Sequence, residues 1–390
     1  MTFRARMLVL LISVPVILLV VVGGVLSRAM PRTDSYQHLR VFDDVVSLVM
    51  NNYVEQVETD KIMNGAMRGL AEGLDPDCAW LTPDEVAKVT KQSAGPKGSI
   101  GVELTRQYYL RVIAARDGSP AARAGLRTGD FIRAIDDKPT REMSVFTGMG
   151  LLRGAPGSKV KLTVIRGNAA EPHVMEVVRE EPSAATVSGK IVKPGVGLLR
   201  VAGFNDKTVA ELKQQVAALT KEGAHHLLLD LRATAEGAPE LGVAAARLFV
   251  REGVLASRET RPEQKRDLTA AAGDGAITMP LSLLIDNGTS QAAEVFAASL
   301  AGHKRGELIG EHTLGRAATQ ELVRLPDGSG LWLSTARYNA PNGTPIHEKG
   351  LTPDVAVAEP EVEFGGTPPT GDPILEKALE RIATPTAAAA

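Results

Sequence analysis

Nucleophiles, bases and metal ligands are sparse in this chain, which holds one cysteine, Cys78, and seven histidines among 390 residues. A lone cysteine excludes an internal disulfide and any cysteine-built zinc site. Cys78 follows Asp75-Pro76-Asp77 and reads as a small packed side chain, with a reactive thiol as the alternative. His225 and His226 are adjacent at the entry to an apolar run. Neighbours on a strand face opposite sides, so these two cannot hold one ion together. With no P-loop and no His-Glu-x-x-His, no metal and no cofactor is expected. Ser290 lies in Asp286-Asn287-Gly288-Thr289-Ser290-Gln291-Ala292-Ala293-Glu294-Val295. A hydroxyl there caps the following helix, with Thr289 as competitor, or attacks a substrate if a base stands beside it. His303, His312 and His347 lie in the same domain as candidate bases.

The elements that must position these groups follow from hydrophobic spacing. The Ser290 segment joins an apolar strand, Leu281 to Ile285, to a helix, Ala292 to Leu300. Before it come a strand at Val196 to Val201, a helix at Thr208 to Lys221, a strand at Leu227 to Leu231 and a helix through Leu241 to Phe249. Such alternation implies an α/β layer with buried strands. Glu259 to Asp267 is charge-rich and reads as a solvated loop or helix end. Between Ile100 and Glu181, short alternating runs such as Val160-Lys161-Leu162-Thr163-Val164-Ile165 are broken by Gly118-Ser119-Pro120, Gly129-Asp130 and Pro156-Gly157. These imply a small β-rich module. Ahead of it, Ser93 to Ser99 reads as a linker. Leu39, Phe42, Val45, Val46, Val49 and Tyr53, then Ile62, Ala66, Met67 and Leu70, mark two amphipathic helices. Thr82-Pro83-Asp84-Glu85 reads as a helix start.

Composition narrows the function classes. Forty-four Lys and Arg against forty-six Asp and Glu give a net charge of -2, without the basic excess that nucleic-acid binding draws on. Residues 7–26 form an uncharged apolar run behind Arg4 and Arg6, long enough to cross a hydrocarbon core of about 30 Å. That layout is a signal peptide or an uncleaved signal anchor, with Ser27-Arg28-Ala29 as the candidate cleavage site. It places the rest of the chain on the periplasmic or extracytoplasmic side, held at the inner membrane. After Pro360 the composition shifts to Pro, Gly, Thr and Ala, apart from a short helix near Pro373 to Ile382.

Several motifs in a fixed order resemble the tail-specific, or C-terminal-processing, serine peptidases with an embedded PDZ domain. Tyr53-Val54-Glu55 and Gly65-Ala66-Met67-Arg68-Gly69-Leu70 are similar to the family's N-terminal helices. Ser99-Ile100-Gly101-Val102, Gly118-Ser119-Pro120-Ala121, Ala124-Gly125-Leu126 and Leu152-Arg153-Gly154 are similar to its PDZ module. Leu229-Asp230-Leu231-Arg232, Asn287-Gly288-Thr289, Gly310-Glu311, Pro341-Asn342-Gly343 and Pro353-Asp354-Val355 are similar to its catalytic domain. The resemblance implies a multidomain α/β chain. Its parts are a signal segment (1–30), an N-terminal helical segment (31–92), a PDZ-like domain (97–182), a peptidase-like α/β domain (190–360) and a Pro/Ala-rich tail (361–390). It also implies that Ser99, Ile100, Gly101 and Val102 supply backbone N–H groups to the C-terminal carboxylate of a bound protein.

The catalytic positions depart from that pattern. Active members use a serine at the head of a helix, a lysine base and a glutamine that orients the lysine. Aligned on Glu294, Gly315 and Gln320, this chain has Gln291 for the serine and Arg316 for the lysine, and only Gln320 agrees. A carboxamide has no proton whose loss makes it a nucleophile. Neutralising an arginine at pH 7 costs about 7 kcal/mol or more, against about 4.6 for a lysine. The oxyanion donors would be the N–H groups of Gly237 and Ala292, but Glu236 brings a carboxylate beside them. Two functions are therefore expected. The first is an exported, membrane-anchored pseudopeptidase that binds protein C-termini or a partner protein without cutting, as a single chain or an oligomer. The second is an active serine endopeptidase that uses Ser290 or a rearranged base.

Overall fold

A computed structural model describes residues 33–92, 97–167, 171–181, 186–261, 264–360, 362–364, 366 and 371–383. The apolar run at 7–26, and the anchor expected from it, lies outside these residues. Among the described residues no helix is long and apolar enough to cross a membrane. Contacts divide the chain into Met1–Gly69 and Leu70–Ala390.

The first described elements are the helices Thr33–Asn52 (α1) and Thr59–Glu72 (α2). They fall where the apolar spacing puts them, but Leu39, Phe42, Val45 and Leu48 on α1 are exposed. The spacing makes a helix with an apolar face and does not supply its cover. Next come strand Ala79–Leu81 (β1) and helix Pro83–Gln92 (α3). The turn into α3 is a reciprocal capping box. Thr82 N–H donates to Glu85 Oε2 at 2.9 Å, and Glu85 N–H donates to Thr82 Oγ1 at 3.3 Å.

The β-rich module is a sheet of Val102–Gln107 (β2), Tyr109–Ala115 (β3), Phe131–Ile135 (β4), Lys138–Pro139 (β5), Lys159–Ile165 (β6) and His173–Val178 (β7). Its order is β2-β3-β4-β6-β7, with β5 paired to β4, so β2 is an edge strand. Helices Pro120–Arg123 (α4) and Val145–Leu152 (α5) complete it around a core of Ile100, Leu104, Leu110, Ile132, Leu162 and Val164. The expected linker ends earlier than its composition implies. Gly98 and Ser99 already bridge to Gly154 and Glu180, which closes the module on itself.

The remaining core carries two sheets. Val187–Lys193 (β8), Val196–Val201 (β9), helix Thr208–Lys221 (α6), His226–Asp230 (β10) and helix Pro239–Ala246 (α7) come first. Val254–Glu259 (β11), Lys265–Thr269 (β12), Leu281–Ile285 (β13), helix Ala292–Gly302 (α8) and Gly306–Gly310 (β14) follow. Ala318–Arg324 (β15), Gly330–Asn339 (β16), Val355–Ala356 (β17) and helix Pro373–Ala383 (α9) end the chain's described elements. The layer read from alternation is the sheet β17-β14-β13-β10-β9-β8, parallel except at β8. A second, antiparallel sheet runs β1-β16-β11-β12, with β15 on β16. It corrects the reading of 259–267 as loop or helix end, since Lys265 and Arg266 sit in a hairpin with β11. Both residues are exposed on β12, so charge there does not oppose a strand.

Candidate functional site

The site lies where β13 turns into α8. Asp286 builds the turn, taking the N–H of Gly288 at 2.9 Å and the hydroxyl of Thr289 at 3.0 Å. Gln291, the last residue before the helix, holds φ 56° and ψ -124°. A non-glycine residue rarely adopts that conformation, and such strain gathers where a side chain must be aimed from a sharp strand-to-helix turn. The backbone at position 291 therefore keeps the shape of a nucleophile elbow, although the side chain is a carboxamide.

Ser290 does not fit either role considered for it. Its N–H donates to Thr234 O at 2.9 Å, its side chain is buried, and its Oγ has no hydrogen-bond partner. Thr289 does not cap the helix either, because its hydroxyl is spent on Leu231 O and Asp286. The three candidate histidines have other partners. His303 bonds Val254 O, His312 bonds Thr313 O, and His347 stands 3.9 Å from Asp75.

Position 316 is joined to position 291 through the backbone, with Gln291 N–H donating to Arg316 O at 3.1 Å. Buried Glu294, one turn into α8, fixes the same junction by accepting from Gly315 N–H at 2.6 Å and Arg316 N–H at 2.8 Å. Burial pushes the Glu294 carboxyl up to about 7, against the pull of these donors. The Arg316 side chain bonds to groups outside this junction. Its Nε donates to Asp77 Oδ2 at 2.6 Å and its Nη1 to Leu104 O at 3.1 Å. Burial works against its charge, but the carboxylates of Asp77, Glu103 and Asp75 outweigh it and hold the guanidinium above its ordinary value. Half-buried Glu103 on β2 is pushed up to about 7 by desolvation, despite Arg316.

The third position is separate. Gln320 Nε2 donates to Ser334 Oγ at 3.3 Å, within the β15–β16 pair, while Arg316 turns to Asp77. The Asp75 turn lies nearby. Asp75 accepts the N–H groups of Asp77 and Cys78, and Cys78 Sγ accepts Ser334 N–H at 3.4 Å. Cys78 is buried, and burial pushes its thiol up to about 11, in keeping with the packed reading of this cysteine.

The oxyanion candidates sit on facing pieces. Gly237 lies before α7 with φ 115°, where a Cβ would come within 2.5 Å of Phe204 O. Ala292 opens α8. Glu236 does not stand as an isolated charge, because its Oε2 is 3.0 Å from Arg116 Nη1 just after β3.

In the PDZ-like module, Gly101 has φ 75°, and any Cβ at that position would collide with the Cβ of Ser119, so glycine is required there. Two of the expected donors are already engaged. Ser99 N–H bonds Glu180 O, and Gly101 N–H bonds Ser99 Oγ at 3.1 Å. Ile100 is fully buried and Val102 opens β2 opposite Ala115.

Sequence reasoning missed Asp77, Glu103 and Leu104. Nothing local in Asp75-Pro76-Asp77 ties its carboxylates to a residue so far along the chain.

Residues 195–357 match the family described as Peptidase family S41, and residues 111–166 match a PDZ domain. The carboxy-terminal-processing protease of Bartonella bacilliformis is 28% identical over 335 residues, covering 84% of this chain and 76% of that protein. The chloroplastic C-terminal processing peptidase of Tetradesmus obliquus is 31% identical over 307 residues, covering 74% and 66%. Among solved structures, the photosystem II D1 C-terminal processing protease superposes with a TM-score of 0.68 at 28% identity, covering 81% of this chain and 92% of that one.

Proposed function

The chain belongs to peptidase family S41, with a PDZ domain ahead of its peptidase-type core, and we propose that it binds protein C-termini without cutting them. One observation carries the reading. The side chain at the general-base position is a guanidinium locked to Asp77 at 2.6 Å, and its neighbour at the nucleophile position is a carboxamide. Acyl transfer needs a hydroxyl and a neutral base in contact, and this pair offers neither. The PDZ module supports the binding half of the proposal, since an extended tail can add beside the unpaired edge of β2. The apolar run at 7–26 supports anchoring of the chain at a membrane with its domains on the extracytoplasmic side.

The test incubates the full-length chain, in detergent, with disordered proteins ending in apolar residues, and reads binding beside cleavage. Binding without cleavage, unchanged in Ser290→Ala, is the expected result. Cleavage that disappears in Ser290→Ala would establish the active-peptidase reading instead. Membrane fractionation with and without alkaline extraction checks the anchor.

A further inference from the structure

We infer that Arg316 is a latch that keeps the peptide-binding edge of the PDZ sheet closed, so that the former catalytic site controls the PDZ domain. The inference rests on the tail-binding reading above and deepens it. β2 is the edge of its sheet, with α5 packed beside it, so an incoming strand would have to pair with β2. One of the acceptors on that strand, Leu104 O, already receives Arg316 Nη1 from outside the module. The same guanidinium holds Asp77 through Nε. A fork with separated donors can serve both partners at once, whereas an ammonium is a single point of charge.

Three further contacts tie the same module to the peptidase-type core. Arg111 Nη2 on β3 donates to Asn287 Oδ1 at 2.9 Å, in the turn before Gln291. Asp117 pairs with Arg200 at 2.7 Å, and Arg116 pairs with Glu236 in the oxyanion loop at 3.0 Å. Each involves at least one charge, and together they seat the module over the site. A tail that takes the β2 edge must displace Arg316, so tail and latch exclude each other. The closed fraction then weakens apparent affinity in proportion, and removing the latch restores it.

The test uses the full-length chain with a fluorescein-labelled, unstructured peptide ending in Val-Ala-Ala with a free carboxylate, beside its amidated form. Arg316→Lys keeps the charge but cannot span both partners, and Arg316→Met removes it. Both variants are expected to bind the free-carboxylate peptide about tenfold more tightly than the wild type, the factor that loss of one charge-assisted hydrogen bond allows. Without peptide, amides of Val102–Gln107 should exchange with deuterium about tenfold faster in the variants. If Arg316→Met fails to fold, Arg316→Lys decides alone. Unchanged affinity and unchanged exchange in a folded Arg316→Lys chain would overturn the latch. Faster exchange with no peptide bound by any chain would uphold the latch and overturn the tail-binding reading.

Discussion

Arg316 and Asp77 form an ion pair taken almost wholly out of water, so each depends on the other. Removing one partner of such a pair leaves an uncompensated charge, a loss of about 3–5 kcal/mol. Asp77→Ala should therefore lower the urea midpoint markedly, while Asp77→Asn, which keeps an acceptor, should lower it less. Equal and small shifts in both would show that the pair contributes nothing. Gln291 makes the opposite prediction. Its backbone is held at φ 56°, where a Cβ is a cost and glycine is not. Gln291→Gly should raise stability by about 1 kcal/mol, read from the same urea titration, and a loss would mean that the carboxamide makes contacts worth more than the strain.

At the scale of elements, local patterns carried far and then stopped at a clear limit. Helix α6 and strands β9 and β13 lie where alternation and spacing put them, because α6 buries a periodic apolar face while β9 and β13 are apolar runs buried along both faces. The strand-to-helix junction before α8 was legible in Asp286-Asn287-Gly288-Thr289, where the Asp286 and Thr289 side chains bond within the turn. The second sheet was not, since β15 and β16 have mixed burial and β16 pairs with β1 and β11 from remote parts of the chain. Nor could Ser290 be read correctly, because whether its hydroxyl caps or is buried depends on Thr234 and its loop across the sheet. The start of α3 was legible in Thr82-Pro83-Asp84-Glu85, and its capping box gives an element-scale test. Thr82→Ala should cost about 1 kcal/mol in denaturant unfolding, and a change near zero would mean that α3 is held by its packing alone.

At the scale of the molecule, several carboxyls are kept from water together. Burial raises Glu294 from 4.5 to about 7 and Asp286 from 3.8 to about 6, and desolvation likewise raises Glu103 to about 7. Groups raised in the folded state favour folding below their unfolded pKa, and that contribution is lost as pH rises through the folded value. The urea-unfolding free energy should therefore be greater at pH 5.5 than at pH 8, on the order of 3 kcal/mol, and Glu294→Gln should shrink the difference. A stability that rises steadily from pH 5.5 to 8 would contradict these assignments. The molecule has the fold of a peptidase, and the function proposed for it requires that its hydrolytic pair be lost. That loss is tested most directly by following a disordered protein with an apolar C-terminus, by mass spectrometry, in the presence of the full-length wild-type chain and of the Gln291→Ser, Arg316→Lys double variant. The wild type should leave the substrate intact over any incubation in which the chain itself stays folded. Cleavage fragments produced by the wild type, at multiple turnovers, would contradict it.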